Sequence, residues 1–231
     1  MGYVDISIEE GIARISIKRP MRNRLNRVVI RQLRKTFANL VGNQELKGVI
    51  ITGSGSTFSN GAEMKELANL NYASAKEYSK LGQETFLLLS KIDQPVVAAI
   101  NGTAFGPGLD LALACDVRIA SQNAQFQHPE KKFGITPCFG GSVRLTKVIG
   151  REAAQDMICN SRKLDANEAH QIGLVDYLVD KDNIMLEAEH IILNEEVSKG
   201  AFRRDDFKEE REAFARCFCD SDVRKKLKKK S

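Results

Sequence analysis

Asn101-Gly102-Thr103-Ala104-Phe105-Gly106-Pro107-Gly108-Leu109-Asp110-Leu111-Ala112-Leu113-Ala114-Cys115-Asp116 is the stretch from which the rest of the chain can be read. Ahead of it, Pro95 opens an apolar run, Val96 to Ile100, of a length suited to a buried strand. A turn broken by Gly106 and Gly108 follows, and then Leu109 to Ala114, which reads as a buried helix. A strand that bends through glycines into a helix leaves the first helical N–H groups without intrahelical partners. Such groups bind anions and developing oxyanions. Asp110 falls in that first turn, where the helix dipole favours its negative charge. Turns of this kind serve many folds, so the stretch on its own fixes an element and not an activity.

Upstream, Tyr3 to Ile8 and Ile12 to Ile17 alternate apolar and polar residues around Glu9-Glu10-Gly11, the pattern of an antiparallel hairpin. Val28 to Leu40 places Val29, Ile30, Leu33, Phe37 and Leu40 at helical spacing. Gly48 to Thr52 reads as a buried strand running into the loop Gly53-Ser54-Gly55-Ser56. A second glycine turn, Phe58-Ser59-Asn60-Gly61-Ala62-Glu63-Met64-Lys65, leads into a polar helical stretch, and Ala75 to Ile92 reads as a long amphipathic helix. Strands alternating with helices predict an α/β fold with parallel strands.

Downstream, Val117 to Ala120 and Ala124 to Gln127 are expected to be extended, and Pro137 to Gly141 a loop. Helices are expected over Ser142 to Ile149, Ala153 to Asn160 and Asp165 to Ile172, the last with Asp165 as N-cap and Gly173 just past its end. Leu174 to Val179 reads as the final strand. Beyond it only helices are expected: Asn183 to Val197, Asp206 to Phe218, and Asp222 onward. The expected organisation is therefore an α/β core over residues 1–182 and a helical segment over 183–231 that mediates oligomerisation.

At 231 residues the chain can bury one large core. No apolar run approaches the ~18 residues of a membrane span, and Met1-Gly2-Tyr3-Val4-Asp5-Ile6 has neither a basic start nor an apolar signal core. The five cysteines are odd in number and include no C-x-x-C pair, which points to the reducing cytoplasm. The net charge of +5 owes much to Arg224-Lys225-Lys226-Leu227-Lys228-Lys229-Lys230. That tail reads as a solvated, frayed helix end rather than a nucleic-acid site.

If the turns Asn60-Gly61-Ala62 and Gly106-Pro107-Gly108 meet, they can aim N–H groups at one carbonyl oxygen. Asp110 and Glu130 are the carboxyls nearest such a site, and two acids facing one pocket suit proton transfer. His128 could act as a base, but beside Pro129 it reads more readily as a surface or packing residue. His170 and His190 lie in apparent helices without a companion at metal-ligand spacing, so no metal site is expected.

Several ordered motifs resemble the enoyl-CoA hydratase/isomerase (crotonase) family over residues 3 to about 180. They are Phe58 to Glu66, Pro95 to Gly102, Gly106 to Ala112 with Cys115-Asp116, Phe126 to Glu130, Gly140-Gly141-Ser142 with Arg144-Leu145, and Ala166 to Ala169 with Gly173-Leu174-Val175. The resemblance implies a spiral of ββα units with a C-terminal helical appendage, assembled into trimers or hexamers. It implies an acyl-CoA thioester substrate, coenzyme A as part of that substrate, and no separate cofactor. The thioester oxygen would be held by two backbone N–H groups, the first at Ala62. Asn60, Ala62 and Met64, within the run that includes Glu63 and Lys65, would line the adenine end of coenzyme A, with the loop Arg22 to Arg24 near its phosphates. Asp110 and Glu130 would be the acid/base pair. The second N–H donor falls on Pro107, which has none, leaving Gly108, Ala62 alone, or a weakened acyl-CoA-binding member as the alternatives. The acid that dienoyl-CoA isomerases add corresponds to Cys138, which argues against that subtype. Hydration of a 2-enoyl-CoA is the expected reaction, with Δ3,Δ2-isomerisation the alternative because aspartate is one methylene short. The compressed segment between Glu196 and Asp206 puts the family's tail packing in question.

Overall fold

Ile12, Ala13, Ile15 and Ile17 are buried, whereas the strand facing them is largely exposed, as an edge hairpin over a core requires. The computed structural model describes residues 2–20, 22–200 and 202–230. In it β1 (Val4–Glu9) and β2 (Ile12–Ile17) form the expected antiparallel hairpin, Val4 opposite Ile17. Helix α1 (Arg27–Leu40) buries the expected stripe Val29, Ile30, Leu33, Phe37 and Leu40, and the Asn26 side chain caps it by accepting the Val29 N–H. There follow β3 (Gly48–Gly53), β4 (Thr57–Ser59), α2 (Met64–Leu67), α3 (Tyr72–Leu87), β5 (Val96–Ile100), β6 (Thr103–Phe105) and α4 (Pro107–Ala112). The second half comprises β7 (Val117–Ser121), β8 (Gln125–Gln127), α5 (Gly141–Ile149), α6 (Arg151–Cys159), β9 (Lys163–Asp165), α7 (Ala166–Gln171) and β10 (Tyr177–Val179). The chain closes with α8 (Ile184–Asn194), α9 (Lys208–Cys217) and α10 (Ser221–Lys228).

The strands divide between two sheets. The larger runs β1-β2-β3-β5-β7-β10, parallel throughout except for the hairpin; the smaller runs β4-β6-β8-β9. The pairs β3/β4, β5/β6 and β7/β8 each step from the large sheet to the small one before a helix returns the chain, so a ββα unit repeats three times. That is the expected spiral. Its three-residue strands β4, β6 and β9 are absent from the sequence reading. The long helix starts at Tyr72 rather than Ala75 because Asn71 and Ser74 form a reciprocal capping box. Asp165 caps α7 as expected, accepting the Glu168 N–H.

One core cluster fills the space between the sheets and helices, and it includes Phe214, Ala215, Phe218, Val223 and Leu227. Helix α9 packs on α3 and α10 on α2, so apolar packing runs across the 182/183 boundary and the tail folds back over its own core. The basic tail is thus not a frayed end: Val223 and Leu227 of α10 are buried. Helix α8 lies on the opposite face of the large sheet, where Ile184, Ala188, Ile191 and Ile192 meet Ile50, Val97, Ala99 and Ile119. Among the described residues no helix is long and apolar enough to cross a membrane.

Candidate active site

The small sheet assembles the site. Strands β4, β6 and β8 are parallel neighbours, with Ser59 beside Ala104 and Phe105 beside Gln127. Their carboxyl ends therefore lie side by side, where open α/β sheets bind ligands. Each strand runs at once into predicted site residues: β4 into Asn60-Gly61-Ala62, β6 into Gly106-Pro107-Gly108, and β8 into His128-Pro129-Glu130. A cavity of about 210 Å³ opens there, lined by Arg24, Asn60, Ala62, Met64, Pro107 and Glu130 among others.

The two glycine bends touch. A β-carbon on Gly108 would lie 2.6 Å from the Ser59 carbonyl oxygen, so only glycine allows this approach. The Leu25 N–H donates to the Gly61 carbonyl at 2.7 Å. Because a trans peptide points its C=O and N–H in opposite directions, the Ala62 N–H faces away from Leu25, toward the cavity. The Glu63 N–H donates to the Leu25 carbonyl and the Arg24 guanidinium to the Ala62 carbonyl at 3.3 Å, fixing the next peptide too. On the facing bend, the Gly106 N–H is spent on the Gln127 carbonyl at 2.8 Å, and Pro107, first residue of α4, carries none. Neither the Ala62 nor the Gly108 N–H has a partner among the described residues. Gly108 is thus the donor of this bend that remains free beside Ala62.

Asp110 and Glu130 do not face the cavity together. Glu130 lines it, with Oε1 packed so closely on Gly106 that a β-carbon there would lie 2.4 Å away. Asp110 is fully buried behind it, its Oδ2 accepting the Phe139 N–H at 3.1 Å. His128 stands between them. Its Nδ1 is 3.4 Å from Glu130 Oε2 and its Nε2 3.6 Å from Asp110 Oδ1, and the ring is 0% exposed. His128 is therefore a packed residue between the two acids and not a surface one. The dipole of α4 favours charge on Asp110, but burial, aided by Glu210 and Glu130, outweighs the His128 contact and raises its pKa to about 8. Burial also acts to strip the proton from His128, but Glu130, Asp110 and Glu210 more than offset it and hold the imidazole up to about 9.

Other predicted residues lie outside the cavity. Arg22 is exposed and borders a separate hollow with Lys18 and Arg19, Glu63 is held by Arg19 at 2.7 Å, and Lys65 is exposed on α2. Cys138 is buried near the acids, its carbonyl accepting the Ser79 hydroxyl. Conversely, Lys230 lines the cavity, brought there by the docking of α10. The lysine run was visible in the sequence, but its destination depends on the buried contacts of Val223 and Leu227.

The tail also secures the loop behind Asp110. The Glu210 carboxyl of α9 accepts the Gly140 N–H at 2.6 Å, the Ser142 N–H at 2.8 Å and the Ser142 hydroxyl at 2.5 Å, capping α5 from another element. The adjoining Phe139 N–H holds Asp110, and the buried Arg144 guanidinium donates to the Phe139 carbonyl at 2.8 Å while stacking on Phe207. Truncation at Glu210 strands the buried Gly140 N–H and the half-buried Ser142 N–H, a buried orphan donor costing about 1–3 kcal/mol. Glu210→Ala should therefore lower stability by about 3 kcal/mol, measured by urea unfolding, while Glu210→Gln should lose less.

The sequence model of the family described as enoyl-CoA hydratase/isomerase matches residues 7–215. The chain is 35% identical to the short-chain-enoyl-CoA hydratase of Clostridium acetobutylicum over 193 residues, covering 83% of this chain and 74% of that one. Among solved structures, Pseudomonas aeruginosa DspI superimposes with a TM-score of 0.80 at 33% identity over 84% of this chain and 74% of DspI. An enoyl-CoA hydratase from Mycobacterium avium subsp. paratuberculosis K-10 matches 99% of this chain and 98% of its own, with a TM-score of 0.87, and at 24% identity this likeness concerns the fold alone.

Proposed function

Because the chain belongs to the enoyl-CoA hydratase/isomerase family, we propose that it adds water to a 2-enoyl-CoA. The observation that carries this reading is the position of Glu130: its carboxyl sits against the bend from which the Gly108 N–H, with the Ala62 N–H opposite, can hold a thioester oxygen. Those donors stabilise the enolate formed when the hydroxyl adds to C3. Glu130 takes the proton of the attacking water and delivers a proton to C2, so that one water molecule is added and the enzyme is restored. Leu67, Phe105 and Ile135 supply apolar walls for the acyl chain, while Arg24 and Lys230 supply cations for the phosphates of coenzyme A. The name of the clostridial relative supports a short acyl chain.

Δ3,Δ2-Isomerisation is the second reading, favoured by the retreat of Asp110 behind His128, which leaves Glu130 as the single carboxyl at the cavity among the described residues. The test is to supply purified protein with crotonyl-CoA and, separately, with a 3-enoyl-CoA, and to follow the conjugated thioester's absorbance. Hydration faster than isomerisation is the expected result; the reverse order would replace the first reading with the second, and no turnover of either would leave a binding protein. Asp110→Asn should cost hydration less than Glu130→Gln in the same assay, because Asp110 does not reach the water.

Trimeric or hexameric assembly belongs to the same proposal. Leu186 and Leu193 of α8, 66% and 54% exposed, offer apolar surface for it. A cytoplasmic location is supported by five unpaired cysteines.

A further inference from the structure

Behind the cavity three titratable side chains from beyond two neighbouring strand ends, β8 and β6, stand in a row, Glu130, His128 and Asp110, and of these Glu130 lines the cavity. We propose that His128 is a positioning residue that bridges the two acids as an imidazolium, tying Oε2 of Glu130 so that Oε1 is left as the working oxygen. This rests on the thioester reading of the cavity. The geometry carries it. The ring is fully buried, Nδ1 faces Glu130 at 3.4 Å and Nε2 faces Asp110 at 3.6 Å, both ion-pair distances, and neither nitrogen forms a hydrogen bond among the described residues. An imidazolium donates from both nitrogens, to the Glu130 carboxylate and to an Asp110 carboxyl oxygen, whereas a neutral ring would need Asp110 to supply the proton at Nε2.

Other groups facing this row are Glu210 from α9, which adds negative charge, and Arg144 from α5 and Cys138, which border Asp110. The balance of these neighbours keeps the proton on His128 through neutrality. With Oε2 held, Oε1 is fixed over Gly106, at the entrance to α4 where the thioester would lie. Asp110 then acts through His128 rather than on substrate, which gives a fully buried acid a part in the reaction without contact with water.

Two measurements test this. The chain has three histidines, so NMR titration of the imidazoles in wild type and His128→Gln assigns the His128 signal. It should remain doubly protonated above pH 8, with its midpoint falling in both Glu130→Gln and Asp110→Asn. A His128 that titrates alongside His170 and His190, or that ignores both substitutions, overturns the proposal even if the protein turns over no substrate. In the crotonyl-CoA assay, His128→Gln should lower kcat by about 10²-fold, the scale of a misplaced catalytic group, with little change in KM. It should also abolish the alkaline limb near pH 9, where loss of the imidazolium proton switches the wild type off. A folded His128→Gln protein with wild-type kcat and an unchanged pH profile would overturn the positioning role. An inactive wild type whose His128 still titrates high and responds to both acids would sink the hydratase reading while leaving the bridge standing.

Discussion

Glutamine at position 130 should lower kcat for crotonyl-CoA hydration by about 10²–10⁴-fold, the usual worth of a positioned general acid–base, while acyl-CoA still binds. Glu130 is the one member of the predicted acid pair that lines the cavity, and Asp110 is fully buried behind His128. Glutamine keeps the size and the packing on Gly106 and can still accept the Nδ1–H of His128 through its carbonyl oxygen. It cannot take a proton from water or return one to carbon. The fold should therefore survive, and circular dichroism with a thermal melt checks that the loss is chemical. Equal losses in the isomerase assay are expected, because the same carboxyl would serve either reaction.

Restoring an N–H at position 107 should act in the opposite direction. Deleting one oxyanion donor costs on the order of 10²–10³ in kcat in well-studied enzymes. Here the position that the family resemblance assigns to the second donor is a proline, and the neighbouring Gly106 N–H is bound to Gln127. Pro107→Ala and Pro107→Gly each add an N–H in the first turn of α4, next to the cavity wall. Both should raise kcat, by up to about 10²-fold, with KM little altered. Both should also lower stability slightly, since proline is well suited to the first helical position. An unchanged kcat in both variants would mean that the Gly108 N–H already holds the oxygen as well as a donor at position 107 would.

Much of the fold was legible because it is carried by long periodic segments. The stripe Val29-Ile30-Leu33-Phe37-Leu40 and the runs Val96–Ile100 and Val117–Ala120 each declare one face or one buried core. Of the small sheet only Gln125–Gln127 was legible, within the extended run Ala124 to Gln127. Thr57–Ser59, Thr103–Phe105 and Lys163–Asp165 are too short for any periodicity, and they exist because they pair with one another or with Gln125–Gln127. Yet these strands bring Ala62, Pro107 and Glu130 together, so the residues of the site could be named from motifs while their arrangement could not. His128 shows the limit most clearly. A lone histidine before a proline carries no local signal, and its role follows only from Phe105 pairing in register with Gln127, which sets Asp110 and Glu130 on either side of it. Likewise, nothing local tells Lys230 apart from Lys229; the burial of Leu227 decides which end of the tail meets the cavity.

The claim on which these expectations depend is that a thioester oxygen docks between the Ala62 and 106–108 bends beneath Glu130. A crystal structure with a slowly turned-over acyl-CoA analogue measures this directly. It should place the thioester oxygen about 3 Å from the Ala62 nitrogen, with Glu130 Oε1 over the carbons next to the carbonyl. An acyl group seated elsewhere, or a thioester oxygen facing away from Ala62, would contradict it.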